Sequence, residues 1–169
     1  MARQSLQQNF LSSVGFRFSI KRLPNTSFYV QSANIPGLDG GVSETPNPFK
    51  TIYRAGDRVT FNDLIVTVRM DSKLKTYEEI ANWMFGLYYP DSFEQFKELE
   101  ESPDGPYSDA TLTVLTPKGN PMLDFTFKDI FPISLGSLQM DTTVSDVDFL
   151  TCDITFKING FKLTSHLTR

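Results

Sequence analysis

The sequence predicts a mainly β protein, an antiparallel β-sandwich or barrel with one or two flanking α-helices and a long extended arm or loop. Three observations lead there. Aromatics make up 13% of the chain, with 15 Phe and 6 Tyr, and such residues fit pleated, half-buried surfaces. Apolar and polar residues alternate in short runs in both halves of the chain, the period of a strand with one wet face. Helical periodicity is confined to the middle, so no βαβ alternation arises and no parallel sheet follows.

Residues 1–15 are polar with little periodicity and read as an N-terminal arm or short helix. Phe16, Phe18 and Ile20 alternate with Arg17, Ser19 and Lys21 as a half-buried strand, and Phe28, Val30 and Ser32 form a weaker one. With Leu23-Pro24-Asn25-Thr26 as a turn, these two could pair as a hairpin. Asn34 to Asp57 holds Pro36, Gly37, Gly40, Gly41, Pro46, Pro48 and Gly56 and keeps no period, yet Ile35, Leu38, Val42, Phe49, Ile52 and Tyr53 make it too apolar for a solvated linker. Connections this long are usually functional. It reads either as a lid over a ligand or as an extended arm or long hairpin lying on another subunit. Pro46-Asn47-Pro48 favours extended backbone.

Arg58 to Met70 reads as one long strand, with Leu64, Val66, Val68 and Met70 on one face and Ile65, Thr67 and Arg69 on the other. A helix follows over 76–87, capped by Thr76 with Glu79 completing a capping box, and with Tyr77, Ile80, Met84 and Leu87 as its apolar stripe. A second short helix starts near Ser92, with Phe93 and Phe96 expected to pack inward. Ala110, Leu112 and Val114 mark a strand, Pro117 to Pro121 a turn, and Leu123, Phe125 and Phe127 the returning strand. The last strand carries Leu150, Cys152, Ile154, Phe156 and Ile158 on one face and Thr151, Asp153, Thr155 and Lys157 on the other, and Gly160 can bend it. About seven strands result, in one domain spanning 1–169.

Composition narrows the function. The net charge is −4, and the only tight basic pair is Lys21-Arg22, so phosphate-neutralising nucleic-acid binding is disfavoured. The single cysteine, Cys152, allows no disulfide within the chain. The N-terminus shows no apolar run of the signal-peptide kind, and no stretch is long and apolar enough for a membrane helix. A protein made in the cytosol is expected, with no membrane partner.

No catalytic constellation emerges. The only histidine, His166, lies near the C-terminus and reads as a solvated tail residue, and Cys152 sits on an apolar strand face as a core filler. A zinc site would need Cys/His clusters that do not occur. Asp57, Asp63 and Asp71 bracket one strand and Asp141, Asp146 and Asp148 crowd one loop, but turn acids mostly serve turns. No Gly-rich phosphate loop opens a helix, and Asn25-Thr26-Ser27 reads as a turn. The expectation is no catalytic residue, no metal and no cofactor. Two binding alternatives stay open, a ligand barrel and an oligomer. The apolar arm and the polar, mostly uncharged face Thr151, Asp153, Thr155, Lys157, Asn159 favour the oligomer.

Gly56-Asp57-Arg58, Phe61-Asn62-Asp63-Leu64, Val66-Thr67-Val68 and Asp71, followed by a helix bearing Trp83, together with Phe131-Pro132-Ile133-Ser134 and Gly136-Ser137-Leu138-Gln139-Met140-Asp141, resemble the tail tube proteins of T4-like contractile-tailed bacteriophages. The motifs come in order and span roughly residues 16–160. The resemblance implies a structural virion protein whose hexameric rings stack into the inner tail tube and conduct DNA during ejection without binding it specifically. The implied partners are further copies of the chain, tail sheath and baseplate proteins; the implied location is the phage tail, after synthesis in the bacterial cytoplasm. Ring-contact candidates on the arm are Pro36, Leu38, Pro46, Pro48, Phe49, Tyr53, Asp57 and Arg58. Either Ile65/Thr67/Arg69 or Thr151/Asp153/Thr155/Lys157 is expected to line the lumen. Baseplate tube initiators, tail-end adaptors and tubes of related contractile injection systems share the pattern and stay open as alternatives. The acidic segment 92–106 and Asn47 to Lys50 have no place in it.

Overall fold

The computed structural model describes residues 15–23, 29–90, 92–101, 105–141, 143 and 149–166. Its longest element is a strand of 15 residues, β7 (Pro121–Leu135), along which two sheets meet. The first half of β7 pairs with β6 (Ser108–Leu115) and with β9 (Gly160–Ser165); its end pairs with β8 (Thr151–Lys157). Beyond β6 lies β1 (Phe16–Ile20), and beyond β8 lie β5 (Leu64–Arg69) and then β2 (Val30–Ala33), all antiparallel. The sheet turns its corner at Asp129, whose φ of 52° is left-handed, a region that Asp tolerates better than most residues. The Asp129 N–H donates to Asp109 Oδ1 at 3.3 Å, and the β6–β7 register slips at this point. A bulge is the usual way to bend a strand between two sheets.

Alternation fills the space between the two sheets. Phe18, Ile20, Ala110, Leu112, Val114, Phe125 and Phe127 point in from one side, and Leu64, Val66, Val68, Cys152, Ile154 and Phe156 from the other. Helix α1 (Lys75–Tyr88) closes the core with Thr76, Ile80, Trp83 and Gly86. The Trp83 ring lies 6.3 Å from that of Phe156, and its indole N–H donates to the Pro106 carbonyl at 3.0 Å. The Tyr88 hydroxyl donates to the Pro132 carbonyl at 3.1 Å. Helix α2 (Phe93–Glu101) packs on α1 through Leu99, which lies over Gly86.

The remaining strands, β3 (Leu38–Thr45) and β4 (Ile52–Phe61), pair only with each other, as a hairpin outside the main sheet. The stretch that keeps no period is thus largely β, a long hairpin rather than a loop. Its charged Ala-Gly-Asp-Arg segment lies inside β4: Gly40 faces Val59 and Val42 faces Ala55, so Gly56, Asp57 and Arg58 together oppose Gly41. A Cβ on Gly56 would sit 2.9 Å from the Gly41 carbonyl oxygen, which only glycine avoids.

Several other expectations change. Residues 58–70 are not one strand: β4 ends at Phe61 and β5 starts at Leu64, because the Asn62 N–H turns to the Gly37 carbonyl. Asn34 stands in for backbone beside the break, accepting from the Ile65 N–H at 2.7 Å and donating to the Asp63 carbonyl at 3.1 Å. β1 and β2 do not pair with each other; each finds its partner far along the chain. Thr76 does not cap α1 but is buried in it, and Asp71 Oδ1 accepts from the Lys75 N–H at 3.0 Å instead. The buried stripe of α1 is rotated by about one position from Tyr77/Met84 to Thr76/Trp83, since the indole is the larger group to bury and finds its hydrogen bond only there. Among the described residues there are nine strands, the arm supplying two that its lack of a period concealed.

Phe127 is fully buried and stacks edge-on against Phe161 at 6.0 Å, whereas Phe49, at the hairpin tip, is 95% exposed. In urea unfolding of the isolated subunit, Phe127→Ala is expected to cost about 3–5 kcal/mol, and Phe49→Ala less than about 0.5 kcal/mol. Equal effects would show that the hairpin tip is packed against the subunit.

Candidate assembly surfaces

The antiparallel register of β5 on β8 brings the two candidate polar faces together as one. Ile65 is opposite Thr155, Thr67 opposite Asp153, and Arg69 opposite Thr151. The Thr67 hydroxyl donates to Asp153 Oδ1 at 2.7 Å, and Lys157 Nζ donates to Asp63 Oδ1 at 2.7 Å. The Arg69 guanidinium lies over the Phe149 ring, 4.6 Å from its centre. Ser32 extends the surface onto β2, and an open depression of about 460 Å³ lies between Gln31, Ser32, Thr67, Arg69, Phe149 and Thr151. Two cations, Arg69 and Lys157, are offset by Asp153 and Asp63, so the face is wet and close to neutral. Directly behind it, Leu64, Val66, Val68, Ile154 and Phe156 are completely buried.

The hairpin arm is the second surface. Its base is fastened to the subunit: Phe61 packs on Phe161 at 5.7 Å, Phe161 packs on Phe125 and Phe127, and Pro36 is buried. Pro36 therefore offers no surface to a neighbour. Leu38, Val42, Phe49, Tyr53 and Val59 are bare, and Pro46 and Pro48 are exposed around the tip. Asp57 and Arg58 are exposed in the bulge, and among the described residues neither enters an ion pair. Leu38, Val42, Phe49, Tyr53 and Val59 thus gather exposed apolar side chains on one projection, the kind of patch that contact surfaces often present.

The titratable groups serve structure. Asp63 holds Lys157, Asp71 caps α1, and Asp141 accepts from both the Thr143 N–H and its hydroxyl, which lowers its pKa. Asp146 and Asp148 lie outside the described residues. Cys152 is buried, its thiol 3.2 Å from the Gly136 carbonyl, and burial pushes its pKa up. His166 departs from the expected frayed tail. Its N–H donates to the Met122 carbonyl at 3.0 Å, continuing the β7–β9 ladder, and its Nε2 lies 2.5 Å from Asp124 Oδ2. Among the described residues, no three His, Cys, Asp or Glu side chains gather in a group able to hold a metal ion, and no helix is long and apolar enough to cross a membrane.

Sequence reading missed a third surface, the elbow between α1 and α2. Phe85, Tyr88, Tyr89, Phe93 and Phe96 are exposed there, so Phe93 and Phe96 do not pack inward as expected. The signal was present in α2, where Phe93, Phe96 and Leu99 form a stripe of which only Leu99 is buried.

No protein-family model matches the chain, and no curated protein matches it. Solved structures do. The chain is similar to one in the sheath–tube complex of PVC, an extracellular contractile injection system in its extended state, with 13% identity, a TM-score of 0.62 and 94% of each chain covered. It is similar to one in the tube-terminating cap of the anti-feeding prophage, with 11% identity, a TM-score of 0.63 and 96% of this chain and 95% of the other covered. It is also similar to one in the baseplate of that particle, with 12% identity, a TM-score of 0.61 and 98% of each chain covered. At these identities the likeness establishes the fold: mainly antiparallel β with two helices, the architecture of chains found in contractile injection particles.

The Asp124 carboxylate is held below its ordinary pKa first by the His166 hydrogen bond, then by that of Thr113. A depressed folded value contributes stability above the unfolded value of about 3.9 and loses it as pH falls through the folded value. Asp124→Asn is therefore expected to lower the melting temperature near neutral pH, with the gap to the parent closing as the pH is brought down below the ordinary carboxylate range. A gap that does not change with pH would remove the carboxylate from the clasp on β9.

Proposed function

We propose that this chain is the subunit of the inner tube of a contractile, phage-tail-like particle, a structural protein rather than an enzyme. The observation that carries the reading is the continuous polar, near-neutral face of β2, β5 and β8 backed by a fully buried apolar layer. A sheet wet on one side is ordinary; combined with a bare apolar arm and a fold like that of tube-associated chains, it suits the wall of a water-filled channel. Copies related by rotation would close a ring, hexameric by the tail-tube resemblance, with Ile65, Thr67, Arg69, Thr151, Asp153, Thr155 and Lys157 lining the lumen. A lumen with balanced charge lets a polyanion pass without gripping it, which fits a DNA conduit in a tailed phage. Among the described residues, β1 and β2 end the strand path with one edge unpaired, the kind of edge that joins another chain.

On this reading the arm reaches a neighbouring copy through Leu38, Pro46, Pro48, Phe49 and Tyr53, and the bulge at Asp57 and Arg58 sets its direction. Sheath and baseplate proteins are the further partners, and the particle, a phage virion of the T4 type on the motif resemblance, is the location. A second reading, a cap or baseplate ring that does not extend, is favoured by the likeness to the cap and baseplate chains.

Negative-stain microscopy of the purified protein at rising concentration is expected to show rings and stacked tubes. Single rings that never extend would select the cap or baseplate reading, and a strict monomer at high concentration would sink both. Phe49→Ser with Tyr53→Ser is expected to keep the subunit folded while raising the critical concentration for stacking by at least about tenfold. Thr67→Pro removes a ladder donor in the middle of β5 and is expected to abolish folding or ring formation.

A further inference from the structure

The α1–α2 elbow carries an apolar surface that none of the described residues covers. Phe93 is 81% exposed and Tyr89 74%, with Phe85, Tyr88 and Phe96 bare beside them. These five aromatics come from the end of α1 and the start of α2, two helices held together by Leu99 over Gly86. The pattern of α2 is that of a helix built to bury one stripe, yet its own subunit buries only the last residue of that stripe. Exposed aromatics gathered at one turn of a folded subunit are the kind of surface that contacts another molecule.

The elbow's place in the fold separates it from the ring-closing surfaces. Trp83 of α1 packs on Phe156, whose side chain points to the core side of β8, away from Thr155 and Lys157. The helices therefore sit across the core from the polar face. If that face lines the lumen, the elbow looks outward; the inference rests on the tube reading in this respect. It also lies apart from the hairpin arm, which is fastened at Phe61 and Phe161.

Charge selects the occupant. Helix α2 holds four glutamates against one lysine in its nine residues, and that lysine, Lys97, is taken by Glu101 at 3.5 Å. Glu94 and Glu100 are exposed next to the phenylalanines. An acidic rim around aromatic rings repels an anionic lipid surface and a second copy of this acidic chain alike. It suits Lys and Arg, which pair with the carboxylates and stack on the rings. We infer that the elbow is a docking site for a basic, amphipathic helical segment of a second protein on the outside of the assembled ring, its apolar side chains seated among Phe85, Tyr89, Phe93 and Phe96 and its cations on Glu94 and Glu100.

The test uses fluorescent synthetic amphipathic helices of equal length and apolar content, one with a Lys/Arg polar face and one with a Glu polar face, titrated into the full-length protein. The basic peptide is expected to bind and the acidic one not. Phe93→Ser with Phe96→Ser, and separately Glu94→Lys with Glu100→Lys, are each expected to weaken binding by at least about tenfold, while Lys118→Ser in the exposed β6–β7 turn leaves it unchanged. Circular dichroism confirms that the variants stay folded, as substitutions at exposed positions should. Equal binding of both peptides, or binding untouched by the elbow variants, overturns the site. Co-sedimentation with anionic vesicles lost in the elbow variants would assign the patch to lipid, and loss of rings or tubes in those variants would assign it to a second copy; either overturns the proposal. Microscopy of the same samples reports ring formation separately, so failure of the tube reading and failure of the docking site leave different records.

Discussion

The register of β5 against β8 is the constraint on which the rest of the subunit depends. Because side chains alternate with a period of two, Thr67 opposite Asp153 places Leu64, Val66, Val68, Cys152, Ile154 and Phe156 on one side and the polar residues of both strands, with Ile65 among them, on the other. A slip of one residue would expose Leu64, Val66, Val68, Ile154 and Phe156, five side chains that are now entirely buried. Burying each is worth about 1.5–3 kcal/mol, several times more than any hydrogen bond on the wet face can offset. The Thr67–Asp153 bond thus follows from the register rather than setting it. The core's demand for one face leaves the opposite face polar, and that by-product is the surface the proposed channel uses.

The same demand explains the corner in β7. A sheet apolar on one side must cover that side, and here the covering layer is the continuation of its own strand. β7 and the β8–β9 stretch bend together, at Asp129 and at Ile158-Asn159, so that one sheet folds over the other. Phe161 then sits just past the bend, where it meets Phe125, Phe127 and Phe61. That aromatic cluster ties the root of the hairpin to the core. The arm is held at its root, where Phe61 and the buried Pro36 pack, and is exposed along its length.

Where burial within the chain governs, the sequence was legible. The strands around Leu64–Val68, Ala110–Val114, Phe125–Phe127 and Cys152–Phe156 showed their alternation plainly, and helix α1 its period. Elsewhere the pattern misled for identifiable reasons. The hairpin could not be told from a loop because both of its faces are largely exposed, so no apolar face imposes a period on β3 or β4, and its glycines serve a bulge rather than a loop. Thr76 looked like a cap because a Glu follows at the right spacing, but Asp71 reaches the free N–H first. Long-range pairing of β1 with β6 could not be told from a local hairpin, since alternation reveals which residues face inward and not which strand lies alongside. The two candidate polar faces read as rivals for the same reason.

The elbow and the arm share a discrepancy that separates them from the core. In both, the sequence invests large apolar side chains that the subunit does not bury: Phe49 and Tyr53 in one, Phe93 and Phe96 in the other. Scattered exposed apolar residues are ordinary on any protein surface, but these are gathered, and each group occupies an element that the main sheet does not need for its own closure. The two differ in charge. The arm's mixed Asp39, Glu44, Lys50, Arg54, Asp57 and Arg58 can meet a copy of an acidic chain without strong repulsion, whereas α2, with four glutamates and one engaged lysine, cannot. Charge pattern thus sorts two apolar surfaces of similar make-up into one suited to self-assembly and one suited to a different, basic partner, on a subunit whose third face is left to water.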